Sequence, residues 1–189
     1  MRNVQLYTDG SCNSNVNGKG EGGIAYILYF TDNKQTQTAS KGYYFSSSNR
    51  MELLAVIEAL ASLGNKKHHI QLTTDSQFVE LGIQKLQNQE MPKSEQDLWQ
   101  QLKPFLQRHQ IHCVRKSTHP KLDECHRLAN QARKQPLHYD IALNQAVNLS
   151  QYVEKLEKQK RHLTAQLAEV EASITILRAS LDILCRDNK

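Results

Sequence analysis

The sequence predicts an α/β fold with a five-stranded mixed sheet flanked by helices, followed by a long C-terminal coiled-coil helix. Over about the first 135 residues, short runs rich in β-branched and aromatic residues alternate with runs whose apolar residues recur at helical spacing. From about Ala142 onward the chain has no Gly and no Pro, and its apolar residues recur every three or four positions. The length of 189 residues fits one domain of about 140 residues with an appendage.

Three strands come first, in the order of an antiparallel meander. Residues 4–8 alternate between apolar and polar side chains, residues 24–30 are rich in β-branched and aromatic residues, and residues 36–45 supply the third strand. A polar loop rich in Asn and Gly is predicted from Asn13 to Gly23, and a turn over residues 31–34. These segments predict the first half of the sheet.

Helices alternate with strands in the second half of this region. Gly64 marks the end of the first helix, and His119-Pro120 interrupts the chain before the last one. The predicted helices cover residues 49–63, 76–86, 95–109 and 123–133, and the predicted strands cover residues 69–74 and 111–116. The resulting order, β-β-β-α-β-α-α-β-α, predicts a mixed sheet with helices on its faces.

The C-terminal segment has a heptad pattern. Its a and d positions are apolar except at Lys160, which would cost stability but could fix the register. The a positions are Ala146, Val153, Lys160, Leu167, Ile174 and Leu181, and the d positions are Leu149, Leu156, Leu163, Val170, Leu177 and Leu184. We therefore predict two domains, residues 1–136 and a coiled-coil helix over residues 137–189, and a homodimer formed through residues 142–184. The alternative is one amphipathic helix folded back on the first domain, residues 1–136, which we call the head domain.

Charge, cysteine spacing and hydropathy exclude several classes of protein and favour a polyanionic partner. The chain carries 24 Lys and Arg against 19 Asp and Glu. Residues 1–140 hold 17 of the basic and 13 of the acidic residues, so most of the net positive charge lies in the first domain. A polyanionic partner would therefore bind this head domain. The four cysteines form no C-x-x-C pair, which argues against a disulfide framework or a structural zinc site. No signal peptide and no apolar run of membrane-spanning length is visible, so we expect no membrane association and a cytoplasmic location.

Three carboxylates are the candidate catalytic and metal-binding residues. Asp9 and Asp75 each follow a short strand-like run, and Glu52 lies near the start of a helical run. Acids at strand ends and at the start of a helix can converge on one point, and a cluster of like charges needs cations to persist. The sequence therefore predicts a divalent-metal site with oxygen ligands.

Five phrases of the sequence together resemble one family. They are Tyr-Thr-Asp-Gly-Ser-Cys (7–12), Asn-Arg-Met-Glu-Leu (49–53), Thr-Asp-Ser-Gln-Phe-Val (74–79), Asp-Leu-Trp (97–99) and His-Pro-x-x-x-x-Cys-x-x-Leu-Ala (119–129). Their order and spacing resemble type 1 ribonuclease H over about residues 1–135. The combination is specific, although no single phrase would be.

The resemblance implies a ribonuclease H fold, two Mg²⁺ ions and hydrolysis of the RNA strand of an RNA–DNA hybrid. By position, Asp9 would bridge both ions, and Glu52 and Asp75 would hold the second one. The family contacts the minor groove of the hybrid at positions that correspond to Asn15, Ser48, Asn49 and Gln77, where polar groups can recognise the 2′-hydroxyl. A helix N-cap is the alternative role of Asn49.

The family's fourth carboxylate is absent, because His126 stands where that acid would follow Cys125. His126 is therefore either a surface residue or a neutral imidazole ligand of the first ion. Imidazole suits softer ions than Mg²⁺, so Mn²⁺ could substitute for Mg²⁺ or be preferred. Asp123, one turn earlier on the same helix, could partly compensate for the missing charge.

The mobile catalytic histidine of the family is also displaced. An ungapped alignment places Lys116 at its position, where a cation could assist an anionic leaving group but would be a poor proton shuttle at neutral pH. His119 could serve if the shorter loop slides, and a buried or capping role for His119 is the alternative. The family's basic, Trp-rich protrusion is reduced to residues 84–93, so hybrid binding would rely on the avidity of a dimer.

Two functions remain open from the sequence. The first is a metal-dependent endoribonuclease on hybrids, attenuated or metal-shifted by His126 and Lys116. The second is a catalytically degenerate protein that binds hybrids or acts as a scaffold assembled through its tail. The three intact acids favour the enzyme. A related metal nuclease with another substrate also stays open, because a fold does not determine its substrate.

Overall fold

The chain divides into two compact units. A computed structural model describes the backbone of residues 1–16, 19–140 and 149–187, and the side chains of residues 1–13, 20–140 and 157–178. The first unit spans Met1–Leu143 and the second spans Asn144–Lys189. The predicted domain boundary after residue 136 stays a prediction, and residues 138–140 pack with the first unit, as described below.

The described residues form one mixed sheet of six strands. Their order across the sheet is β5-β4-β1-β2-β3-β6. β1 pairs antiparallel with β2, and β2 with β3, whereas β4 pairs parallel with both β1 and β5. The strands are β1 (Arg2–Val16), β2 (Lys19–Phe30), β3 (Gln35–Ser46), β4 (His68–Thr74), β5 (Gln110–Arg115) and β6 (His138–Tyr139). The predicted meander and mixed sheet are confirmed.

The prediction of five strands was one strand short. β6 has two residues and pairs parallel with β3 through Tyr43 and Tyr44. The ring of His138 lies 5.6 Å from that of Tyr43, and the ring of Tyr139 lies 5.5 Å from that of Tyr44. A strand this short has no alternation to detect, and its pairing depends on contacts with a distant part of the chain.

The predicted loop over residues 13–23 was too long. β1 and β2 continue as a paired ribbon, with Asn13 opposite Glu21 and Val16 opposite Lys19. Apart from Val16, the residues of this ribbon are polar or glycine, so the sequence resembles a loop. Strand pairing uses backbone groups, and extending an existing antiparallel pair needs no apolar face.

Four helices belong to the first unit. Ser47 caps the first helix, and its side chain accepts a hydrogen bond from the Arg50 amide. Gly64, with φ of +66°, follows this helix in the left-handed conformation that commonly ends helices. The four helices are α1 (Ser48–Ser62), α2 (Gln77–Gln87), α3 (Gln96–Arg108) and α4 (Pro120–Arg133).

Each face of the sheet carries its own apolar cluster. Side chains alternate between the two faces along β2, where Ile24 and Leu28 face one cluster and Ala25 and Ile27 the other. The larger cluster packs the sheet against α1, α2 and α3, and its fully buried members include Leu6, Leu53, Val56, Leu60, Leu72 and Trp99. The smaller cluster packs the sheet against α4 and contains Tyr7, Ala25, Ile27, Leu122, Cys125 and Ala129. The sheet thus lies between two helical layers, as predicted.

The second unit contains one continuous helix, α5 (Leu149–Asp187). Its described heptad residues are exposed: Leu163, Leu167, Val170, Ile174 and Leu177 have 43% to 68% of their surface accessible. Residues 142–148 of the predicted coiled coil lie outside the described residues. Over the described ranges, none of the helices combines the length and apolar character needed to cross a membrane.

Candidate active site

Asp9 lies on β1, on the face of the sheet that α4 covers. It is opposite Ala25 of β2 and two residues beyond Tyr7, and both of those residues belong to the cluster under α4. Because side chains alternate along a strand, Asp9 points to the same side as Tyr7. Asp9 is 4% exposed, so its carboxylate is held in a largely dehydrated position.

Glu52 reaches the same point from α1 because Gly10 lets the helix approach the strand. A Cβ atom on Gly10 would lie 2.3 Å from the Glu52 amide nitrogen and 2.5 Å from the Met51 carbonyl carbon, so a larger residue would push the helix away. The Gly10 backbone also lowers the pKa of both Asp9 and Glu52, against the larger effect of their burial. Glu52 Oε2 is buried without a hydrogen-bond partner among the described residues.

Asp75 completes the group at the end of β4. It directly precedes Ser76, which caps α2 by accepting a hydrogen bond from the Val79 amide. One ligand oxygen from each of Asp9, Glu52 and Asp75 lies within 4.8 Å of the other two. The convergence of these three acids, predicted from the sequence, is therefore present in the structure.

Burial and the repulsion between the carboxylates raise the pKa values of Asp9 and Glu52. Burial, followed by the charge of Asp75, raises the pKa of Asp9 to about 6, while His126 opposes that shift. Burial and the charges of Asp9 and Asp75 raise the pKa of Glu52 well above its usual range. All three donors are carboxylate oxygens and one buried oxygen lacks a partner, so the residues fit a hard divalent cation.

His126 extends from α4 toward this cluster. Its Nδ1 atom lies 3.1 Å from Asp9 Oδ2, and the histidine side chain is 65% exposed. The preceding residue, Cys125, is fully buried, and its thiol donates to the Tyr7 carbonyl at 3.5 Å. The structure therefore places the His126 ring beside Asp9, although the three-acid group defined above does not include it.

The sequence model of the RNase H family matches residues 1–135 of this chain. The ribonuclease H of Pseudoalteromonas atlantica is 39% identical over 145 residues, which cover 70% of this chain and 91% of that protein. The chain belongs to the ribonuclease H family. The family resemblance predicted from the sequence is therefore confirmed, and Asp9, Glu52 and Asp75 converge within a domain of that family.

Solved structures show the same fold. The family member LC9-RNase H1, described as a type 1 RNase H with the type 2 active-site motif, matches with a TM-score of 0.63 at 22% identity, over 72% of this chain and 74% of that one. LC11-RNase H1, solved in complex with an RNA/DNA hybrid, matches with a TM-score of 0.58 at 17% identity, over 70% of this chain and 97% of that one. The ribonuclease H fold predicted for the first unit is confirmed.

The loop before α4 differs from the family pattern, and the structure places both of its candidate residues. His119 is the N-cap of α4: its Nδ1 atom accepts a hydrogen bond from the Lys121 amide at 3.2 Å. Its ring also stacks on Tyr7, with 4.6 Å between the ring centroids. Lys116 is exposed, and its amide donates to the Thr74 carbonyl at 2.9 Å, beside Asp75.

The predicted hybrid-binding residues lie at the beginnings of two helices of this ribonuclease H domain. Ser48 and Asn49 are exposed in the first turn of α1, and Gln77 is exposed in the first turn of α2, two residues after Asp75. The N-cap of α1 is Ser47, so the capping alternative for Asn49 was wrong. The backbone of Asn15 belongs to β1, but its side chain lies outside the described residues.

Arg50 is the main residue of the site region that sequence reasoning missed. It is 2% exposed and two residues before Glu52, and its guanidinium forms ion pairs with Asp140, Asp97 and Glu95 at 2.6 to 2.7 Å. Asp140 also accepts a hydrogen bond from Ser46 at 2.8 Å. A charged residue among the buried positions of an apolar helix was the available signal, since such a charge needs partners.

Asn130 is a second residue that the sequence did not single out. Its side chain, on α4, accepts a hydrogen bond from the Ser11 hydroxyl on β1 at 2.7 Å. At Gly23 on β2, a Cβ atom would lie 2.1 Å from the Ala129 carbonyl oxygen. These contacts hold α4 tightly on the sheet and thereby position His126 beside Asp9.

Proposed function

We propose that this protein is an endoribonuclease that hydrolyses the RNA strand of RNA–DNA hybrids with the help of divalent cations. The convergence of Asp9, Glu52 and Asp75 within 4.8 Å carries this proposal. A protein that only binds nucleic acid would gain nothing from a cluster that holds Glu52 at a raised pKa. Membership of the ribonuclease H family supports the substrate class.

The acids would hold the cations. In the arrangement that the family resemblance implies, Asp9 would serve as a ligand to both ions, and Glu52 and Asp75 would hold the second one. Bound cations would supply an activated water and stabilise the leaving oxygen. Mg²⁺ is the expected ion, because all three ligands are carboxylates. The buried Glu52 Oε2 atom, which lacks a partner among the described residues, fits the role of a ligand.

His126 would act as a neutral ligand in place of a fourth acid. Its Nδ1 atom is 3.1 Å from Asp9 Oδ2, and most of the ring is accessible. An imidazole at this position removes one negative charge from the site and favours Mn²⁺ relative to Mg²⁺. We therefore propose a site that works with Mg²⁺ but responds more strongly to Mn²⁺.

The residues around the acids would bind the hybrid. The helix beginnings that carry Ser48, Asn49 and Gln77 place exposed polar side chains near the acids, and the beginning of a helix favours phosphate groups. Lys116, beside Asp75, could stabilise an anionic leaving group. His119 is less suited to move protons, because Nδ1 accepts the capping hydrogen bond.

A catalytically degenerate hybrid-binding protein is the second candidate. Two observations favour it: the loop histidine His119 is engaged as a helix cap, and the fourth acid is His126. In that case Asp9, Glu52 and Asp75 would be present, but the protein would not hydrolyse the RNA strand. Hybrid binding without cleavage in either metal would decide for this candidate.

We also propose that the protein forms a homodimer through residues 142–184. The described part of α5 exposes Leu163, Leu167, Val170 and Leu177 by 55% to 68%, and a second chain would bury this stripe. Two linked heads would raise the apparent affinity for a long hybrid, since the second contact is intramolecular. This avidity would offset the reduced basic protrusion at residues 84–93.

The substrate is tested with three duplexes of one sequence: an RNA–DNA hybrid, double-stranded RNA and double-stranded DNA, each labelled on one strand. We expect cleavage of the RNA strand of the hybrid alone. Glu169→Gln, which removes an exposed carboxylate of α5 outside the site, should cleave like the wild type. Cleavage of double-stranded DNA at a comparable rate would instead identify a nuclease with another substrate.

A further inference from the structure

We propose that a second cavity, at the opposite end of the sheet from the acids, binds the phosphate and base of a nucleotide. This basal cavity has a volume of about 560 Å³. It is lined, among others, by Arg2, Phe30, Leu63, Lys66, Lys67 and His68. The inference is independent of the hydrolytic function proposed above.

The basal cavity is basic along one wall. Arg2, Lys66 and Lys67 line it, and no carboxylate is among the described residues that do so. None of these three cations forms an ion pair within residues 1–13, 20–140 and 157–178. Unpaired cations around a concave surface focus a positive potential there, which favours an anion.

His68 forms the inner wall of the cavity. It is 4% exposed, and its Nδ1 atom is buried without a partner among the described residues. Its ring stacks on His109, with 5.6 Å between the centroids, and both ring nitrogens of His109 are also buried without partners in the described part of the chain. The ring is thus fixed against the protein through its Nδ1 side, and Nε2 is the nitrogen through which His68 can contact a ligand in the cavity.

The charge state of His68 follows from its surroundings. Burial, and then the charges of Arg2 and Lys66, lower the pKa of His68, although Asp32 opposes this. A neutral imidazole carries one N–H group, and with Nδ1 sealed off, the N–H that can reach a ligand is the one on Nε2. The cations would then neutralise the ligand while His68 donates one hydrogen bond to it.

The shape and the other wall of the cavity point to a nucleotide rather than to a bare anion. Phe30 and Leu63 provide an apolar surface next to the cations, on which a base can stack or pack. The volume is within the usual range for small-molecule sites, about 300–1,000 Å³. Arg2 can bind a phosphate with two parallel hydrogen bonds, and the two lysines add charge.

The basal cavity is separate from the three acids. Arg2 is near the start of β1 and Asp9 is seven residues further along the same strand. At about 3.3 Å per residue, this distance is roughly 23 Å. The same ligand therefore cannot contact both sites unless it is a polymer, so a mononucleotide reports on the cavity alone.

The test measures binding of adenosine 5′-monophosphate to the full chain by calorimetry, with a chelator present so that cations cannot bridge the ligand to the acids. We expect the nucleotide to bind, and adenosine and inorganic phosphate to bind at least tenfold more weakly. Lys66→Gln/Lys67→Gln should weaken nucleotide binding about tenfold, because two charge-assisted contacts are lost. Asp32→Asn should strengthen it, because the nearby negative charge is removed.

Lys93→Gln/Lys103→Gln is the matched control, since both lysines are exposed and remote from the cavity lining. Equal affinities of the two double variants, or equal binding of adenosine and its monophosphate, would overturn the proposal. A single strand with a 5′-phosphate, compared with the same strand ending in a hydroxyl, identifies the source. Tighter binding of the phosphorylated strand than of the mononucleotide indicates a nucleic-acid end, and the reverse indicates a free nucleotide.

Discussion

At the scale of single residues, the acids make the site unstable without cations. The pKa of Asp9 is raised from 3.8 to about 6, mainly by burial and by Asp75. The folded protein therefore binds more protons than the unfolded chain between pH 4 and 6. Since the unfolded state binds fewer protons there, stability falls as the pH rises through this window and stays lowered above it. Cation binding would reverse this loss.

Asp9→Asn should therefore stabilise the metal-free protein at pH 7. The shift of Asp9 corresponds to about 2–3 kcal/mol, reduced by the loss of the contact with His126. Urea unfolding in the presence of a chelator measures this gain. At pH 4 the gain should nearly vanish, because the native carboxyl is already protonated, and an equal gain at both pH values would contradict the account.

His126→Asp should shift the metal preference toward Mg²⁺. The substitution returns a carboxylate to the place where His126 Nδ1 lies 3.1 Å from Asp9 Oδ2, and a hard oxygen ligand suits Mg²⁺. We expect a rise of about tenfold or more in the Mg²⁺-dependent rate, relative to the Mn²⁺-dependent rate of the same variant. If His126→Ala keeps the wild-type rates in both metals, His126 is a bystander.

Single residues could be predicted from the sequence where a short local motif contains them, and could not where their role depends on tertiary packing. The three acids could be predicted from the sequence because each belongs to a specific phrase at a strand end or helix start. Whether His126 would face Asp9 depended on the packing of α4 against β1, through Ser11 and Asn130, and against β2 at Gly23. That packing is a tertiary contact, which local patterns do not encode.

At the scale of elements, two features position α1: the close approach of Gly10 on β1, and the cluster of ion pairs around Arg50 in the first turn of the helix. Gly10 lets the helix approach β1, and Arg50 ties it to α3 and to the segment after β6. The helix carries Glu52, so both features act on the site. The residues of this cluster come from three distant parts of the chain, around Arg50, around Asp97 and at Asp140, and no sequence periodicity links them.

Arg50→Met should destabilise the fold by about 3–5 kcal/mol. The change removes the guanidinium that forms a 2.6 Å ion pair with the buried Asp140 carboxylate, and breaking a buried ion pair from one side is strongly destabilising. Lys41→Gln is the control, because the Lys41–Glu58 ion pair is about one third exposed and should contribute less than about 1 kcal/mol. Similar losses in the two variants, measured by urea unfolding, would refute the role of the cluster.

Gly10→Ala should lower activity more than it lowers binding of the hybrid. The added Cβ would lie 2.3 Å from the Glu52 amide, so α1 must move and Glu52 would move with it. We expect a loss of at least about 100-fold in cleavage rate, since small displacements of catalytic groups are costly. Gly64→Ala is the contrasting variant: it meets nothing within 4 Å, so it should strain only its own backbone.

At the scale of the whole molecule, the chain joins a ribonuclease H domain to a helix of 39 residues. The heptad pattern predicted this helix well, because a long segment without Gly or Pro has a strong periodic signal. The six-stranded sheet was predicted less well, since β6 depends on its pairing with Tyr43 and Tyr44, which lie about 95 positions earlier in the chain. The partner of the exposed stripe was predicted from the pattern and stays a prediction.

Deleting residues 141–189 should leave a folded monomeric head. The deletion begins after Asp140, so the ion cluster around Arg50 is kept. Light scattering should give a dimer for the full chain and a monomer for the head, and the head should bind long hybrids more weakly. A monomeric full-length protein at micromolar concentration would count decisively against the dimer and the avidity argument.

The most direct test of the central claim is cleavage of a labelled RNA–DNA hybrid by the full chain with Mg²⁺ and Mn²⁺ in parallel, with Asp9→Asn as the control. We expect cleavage of the RNA strand in both metals, faster with Mn²⁺, and loss of both activities in the variant. Hybrid binding without cleavage in either metal, or equal cleavage by wild type and Asp9→Asn, would contradict the central claim.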